Sequence, residues 1–187
     1  MRHLFLLAAL FCACISYAQI RVQERLPKKK TGFALTTAKT RAKIYYDVND
    51  ALVIKRSAEL FARDIQMVTG QKPELIQKRE RAKALVIVGT IEKNQWICEL
   101  AQKGKIDIRP LQGAWERYLI QTVDNPSPGV AKALVIAGSD RRGAAYGLFS
   151  ISEMMGVSPW YWWGDVPVKT HKALYVDAPP TYSKDRK

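Results

Sequence analysis

The sequence predicts an α/β fold in which helices cover both faces of a mixed sheet. Two similar apolar runs, KALVIVGT at 83–90 and KALVIAGS at 132–139, carry the first part of this prediction. Because each run is apolar throughout, each strand should be buried on both faces, as in a sheet that lies between two layers of helices. The second part comes from Ile54, Phe61 and Ile65, which recur at helical spacing and are followed by Gly70, a typical helix-ending residue.

Further elements follow from local signals along the chain. Asn49 or Asp50 is expected to cap the helix that ends at Gly70, and Thr90 and Ser139 are expected to cap helices after the two similar strands. Short β-favouring runs predict strands at 33–35, 42–47, 73–77, 115–123 and 172–176, helices are expected at 91–102 and 141–155, and the two prolines of 124–129 predict an exposed turn.

The chain divides into four segments by composition. Residues 1–18 have a short basic head, an apolar run and small residues at positions 16 and 18, which is typical of a signal peptide cleaved after Ala18. The protein is therefore expected to be periplasmic or extracellular; a buried helix or a lipoprotein signal is a weaker interpretation. A polar basic segment at 19–31, an α/β domain at 32–176 and a linker at 177–187 are expected to follow.

Cysteine and histidine usage argues against metal or thiol chemistry. Once the signal is removed, Cys98 is the single remaining cysteine, so neither an intrachain disulfide nor a cysteine zinc site is expected. His171 lies in a basic turn and His3 lies in the signal, so a Cys–His catalytic pair is improbable. Cys98 is expected to be a buried, inert thiol, and no cofactor is predicted.

The chain is strongly basic, with a formal net charge of +13. Such a surface attracts nucleic acid, acidic lipid or acidic polysaccharide. The dense clusters at 28–30 and 78–81 fall where loops are expected, so solvated loops are the simplest interpretation. An acidic partner is the second interpretation, and nucleic acid is the weakest because the protein is expected to be exported.

A glycine pattern between the second similar strand and its helix invites comparison with phosphate loops. Gly138 and Gly143 have the GxxxxG spacing, but two alanines follow where a phosphate loop needs lysine and then serine or threonine. Phosphate binding is therefore not expected. Gly143 and Gly147 lie four residues apart, so they should let one helix face approach the sheet closely.

Four consecutive aromatic residues between two prolines form the most unusual feature, and we call Trp160, Tyr161, Trp162 and Trp163 the aromatic loop. Large rings either pack, within the domain or against another domain, or stack on sugar rings. Packing is the favoured interpretation and sugar contact is the alternative. Glycoside hydrolysis needs two carboxyl groups at the scissile bond. The nearest acids, Glu153 and Asp165, are expected on a solvent face and within the loop, so no catalytic residue is predicted.

Residues 138–168, GSDRRGAAYGLFSISEMMGVSPWYWWGDVPV, resemble a signature of the family 115 glycoside hydrolases, the xylan α-glucuronidases. The phrase R-G-x-x-Y-G at 142–147 also occurs in related N-terminal domains of hexosaminidase- and glucuronidase-like hydrolases. The resemblance implies a secreted enzyme that removes glucuronic or 4-O-methylglucuronic acid from xylan. It also implies that an N-terminal α/β domain precedes the (β/α)8 barrel carrying the catalytic acids.

The resemblance makes that barrel, expected after a tail such as 177–187, the implied partner of this chain. Because the sequence ends at residue 187, the chain is expected to be a fragment without the barrel, and no catalytic residue is carried over. The leading hypothesis is an exported non-catalytic domain that is inactive alone. The alternative is a free-standing carbohydrate-binding module that uses the aromatic loop on glucuronoxylan.

Overall fold

A computed structural model describes residues 19–164 and 166–184. The predicted signal peptide at 1–18, Asp165 and the last three residues of the predicted linker lie outside the described residues. Within the described residues no helix is long and apolar enough to cross a membrane. The elements, in chain order, are β1 (Arg21–Gln23), β2 (Gly32–Thr36), β3 (Lys43–Tyr46), α1 (Leu52–Thr69), β4 (Leu75–Ile76), β5 (Ala82–Thr90), α2 (Gln95–Gln102), a 3-10 turn (Arg109–Leu111), β6 (Tyr118–Ser127), β7 (Val130–Gly138), α3 (Arg141–Met154), α4 (Tyr161–Gly164), β8 (Leu174–Asp177) and β9 (Thr181–Tyr182).

The main sheet is mixed. Its six strands lie in the order β4-β3-β5-β7-β6-β9. The first four strands in this order, β4, β3, β5 and β7, pair in parallel. β6 and β9 each pair antiparallel to their neighbour, and a second, antiparallel sheet has the order β1-β8-β2. The predicted α/β class with a mixed sheet is confirmed.

The two similar apolar runs form β5 and β7, which lie side by side at the centre of the sheet. Val86 and Ile136 face a core that contains α1, α3 and the small sheet. Leu85 and Val135 face the opposite core, which contains α2 and the 3-10 turn. Since alternate residues of one strand point to opposite faces, two helical layers explain why both runs are apolar throughout.

Helix caps differ from the sequence-based expectations. α1 begins after Ala51, which makes no side-chain cap bond, while Asp50 accepts hydrogen bonds from the backbone N–H of Ala51 at 2.8 Å and of Thr90 at 2.7 Å. The prediction that Asn49 or Asp50 caps α1 is therefore wrong, because the Asp50 carboxylate joins the end of β5 to the start of α1. At the other end, Gly70 has a φ of 70° and closes the helix as predicted.

The caps of α2 and α3 also lie beyond the predicted residues. Asn94 accepts hydrogen bonds from the N–H groups of Trp96 and Ile97, so α2 starts at Gln95 rather than near residue 91. Asp140, rather than Ser139, caps α3. The end of a strand does not determine the first residue of the next helix, because a turn lies between them. The residues that cap these helices, asparagine and aspartate, therefore lie one to four residues after the predicted ones.

The domain extends beyond the predicted boundaries at both ends. Val22, which lies in the polar basic segment 19–31, pairs with Val176. Thr181, which lies in the predicted linker 177–187, pairs with Ile120. Ala178 is fully buried and its carbonyl accepts a hydrogen bond from the Thr122 N–H at 2.8 Å. Strand pairing satisfies these backbone groups, and composition does not reveal it. β6 likewise continues to Ser127, so the predicted turn is shorter than 124–129.

Candidate functional site

The N-terminal half of α3 packs directly against the sheet. A Cβ atom added at Gly143 would lie 2.1 Å from the carbonyl oxygen of Arg117, and one added at Gly147 would lie 2.6 Å from Ile136 Cγ2. Real Cβ contacts are much longer than this, so neither position has room for a side chain. The predicted close approach of this helix to the sheet is confirmed.

A closed polar network surrounds the first turn of α3. Asp140 accepts hydrogen bonds from the N–H groups of Arg142 at 2.9 Å and Gly143 at 2.8 Å, and its other oxygen accepts from the Glu116 N–H at 2.8 Å. Glu116 adopts a φ of 57° and its carboxylate pairs with the Arg142 guanidinium at 2.7 Å. Because Asp140 already occupies the helix N-terminus, this end of α3 is filled by the chain's own anion, which supports the expectation that it does not bind phosphate.

Trp115 lies beside this network and was not singled out from the sequence. Its side chain is 70% exposed, and the Arg142 guanidinium lies 5.8 Å from the centre of its ring. The ring borders a crevice of about 320 Å³ at the carboxyl ends of β5 and β7. The sequence feature that could have identified Trp115 is a single tryptophan between polar and small residues at 112–117.

The aromatic loop leaves the other end of α3 and turns into a short helix. The Trp160 N–H donates to Ser158 Oγ at 3.1 Å, and the Gly164 N–H donates to the Trp160 carbonyl at 2.8 Å. Trp160 is 69% exposed and Tyr161 is half-buried. The side chains of Trp162 and Trp163 lie outside what the structure describes, so the role of these four residues stays a prediction.

A cavity of about 380 Å³ lies between α1, α3 and the aromatic loop, and we call it the α1–α3 cavity. Tyr161 forms part of its wall. On either side, Leu60 is 45% exposed and Phe149 is 37% exposed. These side chains place exposed apolar surface in the lining of one cavity, which is the kind of surface that binds a partner or a ligand.

Polar groups in the α1–α3 cavity are largely paired. The Ser152 hydroxyl donates to the Asp64 carboxylate at 2.6 Å, and the hydroxyls of Tyr118 and Ser150 lie 3.0 Å apart. Burial raises the pKa of Asp64 above its ordinary value, against the opposing effect of the Ser152 hydrogen bond. Glu153 also lines the cavity and is exposed, as predicted.

Cys98 and His171 each have a different partner. The Cys98 thiol lies 3.2 Å from the Ile91 carbonyl, and burial raises its pKa, so the reactive thiolate is disfavoured. It is half-buried rather than buried as expected. His171 Nδ1 lies 2.6 Å from Glu24, and this hydrogen bond lowers the pKa of Glu24. Among the described residues no group of three His, Cys, Asp or Glu side chains is arranged to hold a metal ion.

Comparison with known proteins finds relatives by structure and none by sequence. No family model matches the chain, and no curated protein matches it in sequence. Among solved structures, the chain is similar to a family GH115 4-O-methyl-α-glucuronidase with specificity for decorated arabinogalactans, with a TM-score of 0.62 and 27% identity over 81% of this chain. The protein CpGH84D matches with a TM-score of 0.50 and 10% identity, over 86% of this chain and 22% of its own, which shows a shared fold alone.

The matched region is a small part of the similar enzyme. The chain spans 18% of the length of the GH115 4-O-methyl-α-glucuronidase. Its structure therefore resembles one part of a glycoside hydrolase, as the similarity between residues 138–168 and the family 115 signature led us to expect.

Proposed function

We propose that this chain is the N-terminal, non-catalytic domain of an exported α-glucuronidase-type glycoside hydrolase that acts on glucuronoxylan side chains. Two independent lines support the proposal. The sequence of residues 138–168 resembles the family 115 signature. The fold matches part of a GH115 enzyme with a TM-score of 0.62 and 27% identity.

The domain's role in this proposal is to pack against the catalytic (β/α)8 barrel through the α1–α3 cavity and the aromatic loop. The observation that carries this role is the exposure of Leu60 and Phe149 in the lining of one cavity, together with the exposed Trp160 ring, which follows the lining residue Pro159 in sequence. Truncation of an aromatic hot-spot residue that fills a pocket of the partner typically costs about 2 kcal/mol or more of binding free energy. Residues of the barrel would therefore cover the mouth of the cavity.

The paired state of the polar groups fits a non-catalytic domain. Asp64 accepts a hydrogen bond from Ser152, and Asp140 accepts hydrogen bonds from three backbone N–H groups, so each carboxylate already has partners within the chain. A glycosidase needs one carboxylic acid and one carboxylate on opposite sides of a sugar bond. In this proposal both groups come from the barrel.

The activity assay tests the proposal directly. The isolated chain is expected to release no glucuronic or 4-O-methylglucuronic acid from glucuronoxylan or from uronate-decorated arabinogalactan. The released acid is measured by chromatography after long incubation. Turnover that follows the protein through several columns would overturn the non-catalytic role.

A carbohydrate-binding module is the second candidate function, and the 69% exposure of the Trp160 side chain favours it. Calorimetry with neutral xylo-oligosaccharides separates the two candidates. Saturable binding that is insensitive to salt and is lost in Trp160→Ala, Trp162→Ala or Trp163→Ala supports the module. No such binding is expected if the loop packs against the barrel.

Export is part of the proposal and has its own test. The apolar run of 1–18 and the small residues at its end support cleavage after Ala18. The mature protein is expected in the periplasm or medium with Gln19 as its first residue, as measured by N-terminal sequencing. Full-length protein retained in the cytoplasm would contradict export.

A further inference from the structure

A second surface, unrelated to the aromatic loop, lies at the end of the sheet where β5 and β7 begin. It is an open groove of about 810 Å³ between the end of α2 and the turn that joins β6 to β7. Four basic residues line it and no acidic residue is among the described residues of its lining. We call Arg81, Lys83, Lys103 and Lys105 the basic groove.

Contacts within the chain hold the walls of the basic groove in place. The Lys105 ammonium donates to the backbone carbonyl of Asn125, which ties α2's end to the hairpin turn. The Ala82 N–H donates to the Gly129 carbonyl at 3.0 Å. The stem of Arg81 packs over Gly129, since a Cβ atom added there would lie 2.9 Å from Arg81 Cγ. The groove is therefore a formed feature rather than a set of separate side chains.

Three of the four cations form no ion pair with the described residues, although Lys103 lies close enough to Glu99 to add to Arg79 in lowering the pKa of that carboxyl. Arg81, Lys83 and Lys103 are exposed, and no carboxylate among the described residues lies within ion-pair distance of them. Some other cations of the chain are paired: Lys43 lies 2.9 Å from Glu74 and 3.0 Å from Glu80. Like charges around one groove repel each other, so an external anion bound there gains from all of them.

The basic region continues beyond the groove at the same end of the molecule. Lys132, at the start of β7, donates to the backbone carbonyl of Lys30 at 2.9 Å, and so fixes the lysine cluster 28–30 beside the β6–β7 hairpin. Its own charge is balanced by Asp124 at 3.1 Å. The lysine cluster therefore adds positive charge near the hairpin that forms one wall of the groove.

We propose that the basic groove binds an acidic, uronate-bearing polysaccharide and thereby holds the domain on its polymer. The groove has no aromatic residue in its lining, and nucleic-acid single strands are held by stacking on aromatic rings as well as by charge. Carboxylates spaced along a glycan need only cations and hydrogen-bond donors. The choice of a glycan rests on the proposed function, whereas the requirement for a polyanion rests on the groove alone.

The test is affinity electrophoresis of the full chain in gels that contain 4-O-methylglucuronoxylan. We expect binding that weakens as salt concentration rises, because exposed charges are screened. The triple variant Arg81→Gln, Lys83→Gln, Lys103→Gln should bind at least about tenfold more weakly, since three exposed ionic contacts are lost. Lys105 is left in place because it supports the hairpin.

A matched variant separates the groove from general charge. Lys39, Lys72 and Lys93 are exposed and have no described ion-pair partner, so Lys39→Gln, Lys72→Gln, Lys93→Gln lowers the net charge by the same amount. This variant should bind within about twofold of the unaltered chain. Equal loss in both triple variants would show a diffuse charge effect and would overturn the groove as a site.

The choice of polymer decides the remaining outcomes. Neutral arabinoxylan bound as tightly as glucuronoxylan would overturn the role of the uronate. A single-stranded oligonucleotide bound more tightly than glucuronoxylan at the same salt, with the same loss in the groove variant, would overturn the glycan assignment. Failure of the groove and failure of the proposed function are distinguishable, because the groove is tested by binding of the charge variants and the non-catalytic role is tested by the activity assay on the unaltered chain.

Discussion

The two ends of α3 differ in whether their side chains bond within the chain or are exposed to solvent. At the first turn, Asp140, Arg142 and Glu116 bond to one another and to the backbone, and Gly143 lies against a carbonyl oxygen. At the other end, Trp160 and neighbouring side chains present apolar surface to solvent. The polar groups at the first turn are therefore satisfied within the chain, whereas the other end of α3 leaves large apolar side chains exposed.

The largest expected effect comes from Gly143→Ala. Alanine favours a helix over glycine by about 1 kcal/mol. Here its Cβ would lie 2.1 Å from the Arg117 carbonyl, so α3 must move away from the sheet. We expect a loss of about 3 kcal/mol or more in the free energy of unfolding, measured by chemical denaturation. Gly164→Ala, where the added Cβ lies 3.7 Å from the nearest atom, is the control and should be close to neutral. A stabilised Gly143→Ala would show that α3 is not pinned to the sheet.

Asp140→Ala tests the polar network at the same end. The substitution removes the acceptor for three backbone N–H groups, so we expect a loss of about 2 kcal/mol. Asp140→Asn keeps one oxygen for the helix cap and should lose less. Equal losses in the two variants would mean that the charge of Asp140, rather than its hydrogen bonds, stabilises the start of α3.

Asp64→Asn tests the C-terminal end of α3, where Asp64 bonds to Ser152, through the pH dependence of stability. Because burial raises the pKa of Asp64, the folded protein holds this proton more tightly than the unfolded chain does. Stability is therefore greatest when Asp64 is protonated and falls as pH rises through its folded-state pKa. Asp64→Asn should raise the free energy of unfolding at pH 7 by less than about 1 kcal/mol, because Asp64 is only partly buried and solvent screens its charge. The increase is measured as a higher melting temperature and should vanish in acid. Glu92→Gln, which removes an exposed carboxylate, is the control, and a gain equal to that of Asp64→Asn would contradict the prediction.

The smallest expected effect on stability is that of Trp160→Ser. Because the ring is 69% exposed, we expect a change within about 0.5 kcal/mol. The same substitution should reduce the fluorescence of an apolar dye and any self-association, since it removes part of the surface assigned to the barrel. Trp115→Ser removes a ring that is 70% exposed and lies at the other end of α3, so it is a matched control. Equal loss of dye binding in both variants would remove the distinction between the two ends.

Much of the fold follows from short-range patterns. The apolar runs predicted β5 and β7, and the helical spacing predicted α1 with its end at Gly70. The spacing of Gly143 and Gly147 predicted the close contact between helix and sheet. These features are local because each depends on side chains a few residues apart. The caps at Asn94 and Asp140 were missed by one to four residues for the same reason, since a cap depends on where a turn places the chain.

The candidate surfaces were less predictable because their members are distant in sequence. The aromatic loop was evident from composition, but the cavity beside it requires Asp64 of α1 to meet Ser152 of α3. The basic groove joins Arg81 to Lys103 through a hairpin that follows both of them in sequence. No pattern in the sequence relates these positions.

The sequence by itself determined the class of fold, the buried strands and the similarity of residues 138–168 to a glycoside hydrolase family. Hydrophobic periodicity and steric demand act over a few residues, so a linear pattern can express them. Only the tertiary structure decided that the two terminal segments complete the sheets, that Asp140 closes the helix end, and that three exposed basic residues without an ion pair among the described residues share one groove. These outcomes depend on which distant segments meet, and pairing across the sheet decides that.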